Sequence, residues 1–168
     1  MTPSASSVAG SGEALRVFIV DDTSAVRAGL RALLSLMSGI EVVGEAANAP
    51  EALKRIFADP PDVVLMDIEM PGMDGLAATR RLREQGLEAH IVVFSLAFDR
   101  QEDALAAGAD MLLYKGEPVA RLTALLDELR SRRAANRADP GVPLNPPITI
   151  LELKFSLGKF SASAGHPA

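Results

Sequence analysis

The chain has 168 residues, 48% of them hydrophobic and 23% charged, which is enough for one domain with a core of its own, or one domain plus a tail. Cys is absent, which excludes disulfide frameworks, zinc–thiolate sites and thiol nucleophiles, and the two His residues, His90 and His166, are too far apart in sequence to suggest a His-rich metal site. A net charge of −5, no Trp and 4% aromatic residues argue against a basic, base-stacking nucleic-acid surface.

Residues 1–13 are Ser, Ala, Gly and Thr around a few other residues, a composition expected to stay disordered. They hold neither the basic start nor the apolar block of a signal peptide, and no apolar run approaches the ~20 residues of a membrane span, so a cytoplasmic protein is expected. Leu15–Val20 is a compact apolar run, the mark of a strand covered on both faces. From Thr23 to Met37, the residues Val26, Leu30, Leu33, Leu34 and Met37 lie along one helical stripe. Residues 40–45 read as a second strand. Asn48 is a helix cap with Pro50 in the first turn and Glu51 three residues on, and that helix should stop at Asp59-Pro60-Pro61. Residues 62–66 form a third strand, 76–85 a helix stopped by Gly86, and 89–94 a fourth strand. Asp99, with Glu102 three residues later, should open the next helix, ending at Gly108. Residues 111–114 make a fifth strand, and a last helix over 117–133 carries Val119, Leu122, Leu126 and Leu129 on one face. Arg130, Arg132, Arg133 and Arg137 then read as cations placed at a helix C-terminus. Residues 134–168 are a Pro-rich linker and tail, in which 151–157 alternates like one short strand.

Apolar strands alternating with amphipathic helices specify an α/β fold, a parallel sheet covered on both faces. In such sheets ligands bind beyond the carboxyl ends of the strands. Asp21 and Asp22 follow the first strand, Asp67 the third, Ser95 the fourth and Lys115 the fifth. Three carboxylates, a hydroxyl and an ammonium therefore converge on one edge. Such carboxylates repel unless a cation lies between them, and an all-oxygen set favours Mg²⁺. A carboxylate flanked by Mg²⁺, Lys and a hydroxyl is equipped for phosphoryl transfer through an aspartyl phosphate.

The residues IVDD (19–22), PDVVLMDIEMPGMDG (61–75), VVFS (92–95), AGA (107–109) and Lys115 resemble the receiver domain of two-component response regulators, over about residues 15–130. The resemblance implies a doubly wound, flavodoxin-like (βα)5 fold with strand order 2-1-3-4-5. It makes Asp67 the phosphoacceptor. Asp22 becomes a direct Mg²⁺ ligand, Asp21 an acidic partner acting partly through water, and the Glu69 backbone carbonyl a further ligand. Ser95 would bond the phosphoryl group, and Lys115 would pair with one of its oxygens. Pro71, Gly72 and Gly75 would shape the loop after the third strand. The implied partners are a sensor histidine kinase or phosphotransfer protein, and a downstream protein read through the face of the fourth helix, fifth strand and last helix. Neither direct nucleic-acid binding nor a membrane is expected. The protein is expected to be a phosphoacceptor rather than an enzyme with a substrate of its own, and a stand-alone receiver spanning 14–133. Three positions depart from the family pattern: bulky Leu96 after Ser95, Leu112 where an aromatic is usual (Tyr114 and Phe98 being the nearby alternatives), and Gly116 in place of a proline. Leu96 and Leu112 motivate one alternative, a constitutive binding module; Glu69, two residues after Asp67, motivates another, a phosphatase.

Overall fold

The computed structural model describes residues 14–97 and 99–138. Ten elements alternate along them: β1 (Leu15–Val20), α1 (Ser24–Ser35), β2 (Ile40–Ala46), α2 (Ala49–Ala58), β3 (Val63–Asp67), α3 (Gly75–Glu84), β4 (His90–Ser95), α4 (Gln101–Ala106), β5 (Met111–Tyr114) and α5 (Val119–Ala138). The strands pair in parallel in the order β2-β1-β3-β4-β5, the doubly wound arrangement expected. Between β1 and β3 the order reverses, so a crevice opens beyond their carboxyl ends.

The period of two along each strand sorts its side chains into two cores. Val64, Met66, Ile91 and Val93 face α2, α3 and α4, packing with Ile56, Leu76, Leu82 and Ala104. Leu15, Val17, Ile19, Val63, Leu65 and Val92 face α1 and α5, packing with Leu34, Leu122, Leu125, Leu126 and Leu129. Strands buried on both sides in this way read as near-continuous apolar runs. Asn48 caps α2 as expected, accepting the Glu51 N–H at 3.0 Å. Asp74 caps α3, accepting the Ala77 N–H at 2.7 Å.

Several boundaries differ from the sequence reading. β3 begins at Val63 because the Asp62 side chain takes the Arg16 N–H at 2.7 Å, ahead of the first ladder pair Val17–Val63. β3 and β4 each run one residue further than expected, to Asp67 and Ser95. Asp99 does not cap α4: the cap position is Arg100, with no side-chain cap bond, and Arg100 pairs with Asp103 at 3.1 Å. α5 starts two residues later than read and continues to Ala138, so Val119 lies exposed before the buried stripe of Leu122, Leu125, Leu126 and Leu129. The arginines read as C-terminal cations are mostly interior to this longer helix. Arg130 pairs with Asp127, Arg132 with Glu128 and Arg133 with Asp62, leaving Arg137 in the last turn. The segment 151–157 and Phe98 lie outside the described residues.

Candidate functional site

The five residues picked out at the strand ends do meet. Asp21 leaves β1 with its N–H on the Ala46 carbonyl at 3.2 Å, and its Oδ1 accepts the Thr23 N–H at 2.8 Å. Arg27, from the first turn of α1, donates to the Asp21 carbonyl at 2.7 Å and so fixes the acidic turn against the helix. Asp21 is buried and Asp22 exposed. Asp67 ends β3 at 1% exposure, and its Oδ1 accepts the Glu69 N–H at 3.0 Å. Ser95 ends β4 fully buried. The Lys115 N–H continues the ladder onto the Ser95 carbonyl at 2.8 Å, which aims Lys115 back over the strand ends. Its Nζ lies 2.8 Å from Asp67 Oδ1 and 3.4 Å from Asp21 Oδ2.

Burial, together with the Asp21 charge, pushes the Asp67 carboxyl up to about 6, although Lys115 and the Glu69 N–H act the other way. Burial alone would lower the Lys115 ammonium, but its contacts with Asp67 and Asp21 prevail and hold it above its usual range. For Glu69, burial works to raise the carboxyl, and the donors Ser95 O–H and Leu96 N–H outweigh it, leaving the group below its usual range.

Each of Asp21, Asp22 and Asp67 offers a carboxylate oxygen, all within 4.8 Å of one another. Asp67 Oδ2 is buried without a hydrogen-bond partner. An orphaned carboxylate oxygen beside two further carboxylates suits a hard divalent cation, so the donor set fits Mg²⁺.

The loop after β3 is set by two glycines. Gly72 takes φ +82°, which L side chains rarely adopt, and a Cβ on Gly75 would lie 2.0 Å from the Asp67 carbonyl oxygen. Gly116 takes φ +105°, closed to proline, so the turn after Lys115 follows a path of its own. Leu96 is 64% exposed, turned largely to solvent. Leu112 is buried and Tyr114 half-buried against the same α2–α4 core, so they do share a face. Sequence reasoning missed Arg27, whose spacing of six from Asp21 is its one signal, and the bond by which the Glu69 side chain, noticed there only as a second acid, accepts the Ser95 hydroxyl at 2.7 Å.

The family model of the response regulator receiver domain matches residues 17–127. The chain belongs to that family. Among relatives of this receiver, the nitrate/nitrite response regulator NarL of Escherichia coli (strain K12) is 40% identical over 117 residues, 67% of this chain and 54% of that protein. A protein-glutamate methylesterase/protein-glutamine glutaminase of Anaeromyxobacter dehalogenans is 40% identical over 141 residues, 79% of this chain and 38% of its own length. The chain thus spans about half or less of the length of these relatives. The signal receiver domain of a NarL response regulator from Mycobacterium tuberculosis superposes with a TM-score of 0.66 at 32% identity, over 71% of this chain and 98% of that one. The protein is therefore a response regulator receiver domain of a two-component signalling system. Among the described residues, no helix is long and apolar enough to cross a membrane.

Proposed function

We propose that this receiver accepts a phosphoryl group on Asp67 from a sensor histidine kinase or phosphotransfer protein and thereby switches the binding of a downstream protein. The observation that carries this reading is the state of Asp67: a buried carboxylate whose Oδ1 is held by Lys115 and the Glu69 N–H, while Oδ2 has no partner. In the transfer, an Asp67 carboxylate oxygen forms the new P–O bond as the P–N bond of the donor phosphohistidine breaks, and the imidazole departs with the electron pair. Lys115 pairs with a phosphoryl oxygen and offsets charge developing there. The Ser95 hydroxyl donates to another phosphoryl oxygen.

Asp21, Asp22, Asp67 and the Glu69 backbone carbonyl are the residues proposed to hold Mg²⁺. When bound, the ion neutralises phosphoryl charge and orients the group for in-line attack. Asp22, the exposed acid, is open for direct ligation, while buried Asp21 is already engaged with the Thr23 N–H and Lys115. The output surface is proposed to be the α4–β5–α5 face, where Leu105 and Val119 are exposed. In this reading the receiver unit spans residues 14–133, and its setting is the cytoplasm. The chemistry proposed for these residues is Mg²⁺-assisted phosphorylation and dephosphorylation of Asp67.

Intact-protein mass, taken with acetyl phosphate or phosphoramidate and Mg²⁺, tests the reading. Expected is a gain of one phosphoryl group that is lost on omitting Mg²⁺ and in Asp67→Asn. A folded, Mg²⁺-saturated protein that gains nothing from either donor overturns it and favours a constitutive binding module.

A further inference from the structure

The Ser95 hydroxyl has one proton to donate. In the described site it goes to Glu69 Oε1 at 2.7 Å, and the Leu96 N–H reaches the same oxygen at 3.3 Å. The Ala97 N–H closes on Ser95 Oγ at 3.0 Å. One carboxylate oxygen from the loop after β3 thus clamps the turn that leaves β4. A phosphoryl group on Asp67 needs the same Ser95 proton, and its oxygens repel the Glu69 carboxylate.

We propose that the Glu69 side chain is a positioning residue that holds Ser95 and the β4–α4 turn in the resting arrangement, competing with the Asp67 phosphoryl group for the Ser95 hydroxyl. The proposal rests on the reading of Asp67 as the phosphoacceptor. On phosphoryl arrival the Ser95 O–H turns from Glu69 to a phosphoryl oxygen, the Leu96 N–H loses its partner, and the Glu69 carboxylate is released to the solvent that it already faces. A bound group shifts a two-state equilibrium only by its differential interaction with the two states. A clamp that stabilises the resting state therefore weakens phosphoryl binding by its own strength, on the order of tenfold for a hydrogen bond to a charged acceptor.

The test uses the full chain with Mg²⁺ and beryllofluoride, an unreactive phosphoryl mimic, alongside mass gain from phosphoramidate. Glu69→Ala is expected to bind the mimic about tenfold more tightly and, without any ligand, to exchange the Leu96 amide faster. Glu69→Gln keeps the Oε1 acceptor without the charge and should fall between wild type and Glu69→Ala. In a Ser95→Ala background the effect of Glu69→Ala should shrink, since the Ser95 bond is already gone and only the Leu96 contact and the charge remain. A Glu69→Ala protein that matches wild type overturns the proposal. So does a Glu69→Gln protein that matches Glu69→Ala, which would make charge alone the cause, or a Glu69→Ala effect that persists undiminished in Ser95→Ala. If wild type itself neither binds the mimic nor gains mass, the Asp67 reading fails and the proposal falls with it. Binding by wild type with flat variants sinks the clamp alone.

Discussion

Asp67 is held in the folded chain at a loss, because burial and Asp21 disfavour its charge more than Lys115 and the Glu69 N–H favour it. With its folded value near 6, against 3.8 unpaired, the native state binds the extra proton between those values, and stability falls as pH rises through that window. In the presence of a chelator, Asp67→Asn is therefore expected to raise stability at pH 8 by about 1–3 kcal/mol, and to raise it little below pH ~4, where both states hold the proton. Urea melts at the two pH values check this; an equal gain at both would contradict it. Added Mg²⁺ should stabilise wild type in proportion to ln(1 + [Mg²⁺]/Kd) and Asp67→Asn much less, since the substitution removes one of the three carboxylates. Asp21, Asp22, Asp67, Ser95 and Lys115 were all legible in the sequence because each stands at or just beyond a strand end, where the period of the apolar run stops. The Ser95–Glu69 bond was not, because it joins residues 26 apart through a loop whose path depends on backbone angles.

The elements are held by local devices that can be removed one at a time. Asn48→Ala deletes the cap of α2 on the side of the sheet away from α1 and α5, and should lower stability by about 1 kcal/mol without changing the extent of Asp67 phosphorylation. Gly75→Ala acts differently, because its new Cβ meets the Asp67 carbonyl oxygen at 2.0 Å and that oxygen belongs to backbone. It should destabilise by roughly 2 kcal/mol or more and also slow phosphoryl acceptance, read by mass at fixed donor. A Gly75→Ala protein with wild-type kinetics would show that the loop absorbs the clash without moving Asp67. Periodicity located these elements well where apolar residues define them, as in β1 and the α5 stripe. It failed at ends defined by polar contacts. The Asp62–Arg16 bond delays β3, the Arg100–Asp103 pair sits where a cap was expected, and ion pairs line α5 beyond its apolar stripe.

Taken whole, the molecule carries a second titrating group, at the opposite end of the sheet from the acidic site. Burial, reinforced by Arg83 and Arg132, holds the His90 imidazole below its ordinary range, although Asp110 opposes this. The unfolded chain then protonates first, so stability falls as pH drops through about 6.5, opposite in sign to the Asp67 effect. The two windows overlap, so in chelated wild type the effects should oppose one another between about pH 4 and 6.5. Asp67→Asn should keep only the loss on lowering pH, and His90→Gln only the loss on raising it, a pattern that thermal melts across pH would reveal. Both slopes surviving in both variants would place the titration elsewhere. The two cores made the sheet order recoverable from the sequence. The distance between Asp21 and Lys115 along the chain, 94 positions, has another meaning. Loops that long close slowly, and β5 pairs only with β4 at the sheet edge. Until that edge strand docks, the carboxylates stand together without their ammonium. On the proposed reading of Asp67, a nascent or locally opened chain would lack a working acceptor and phosphorylation would select finished molecules, which would make the ion pair a checkpoint on folding as well as a part of the site.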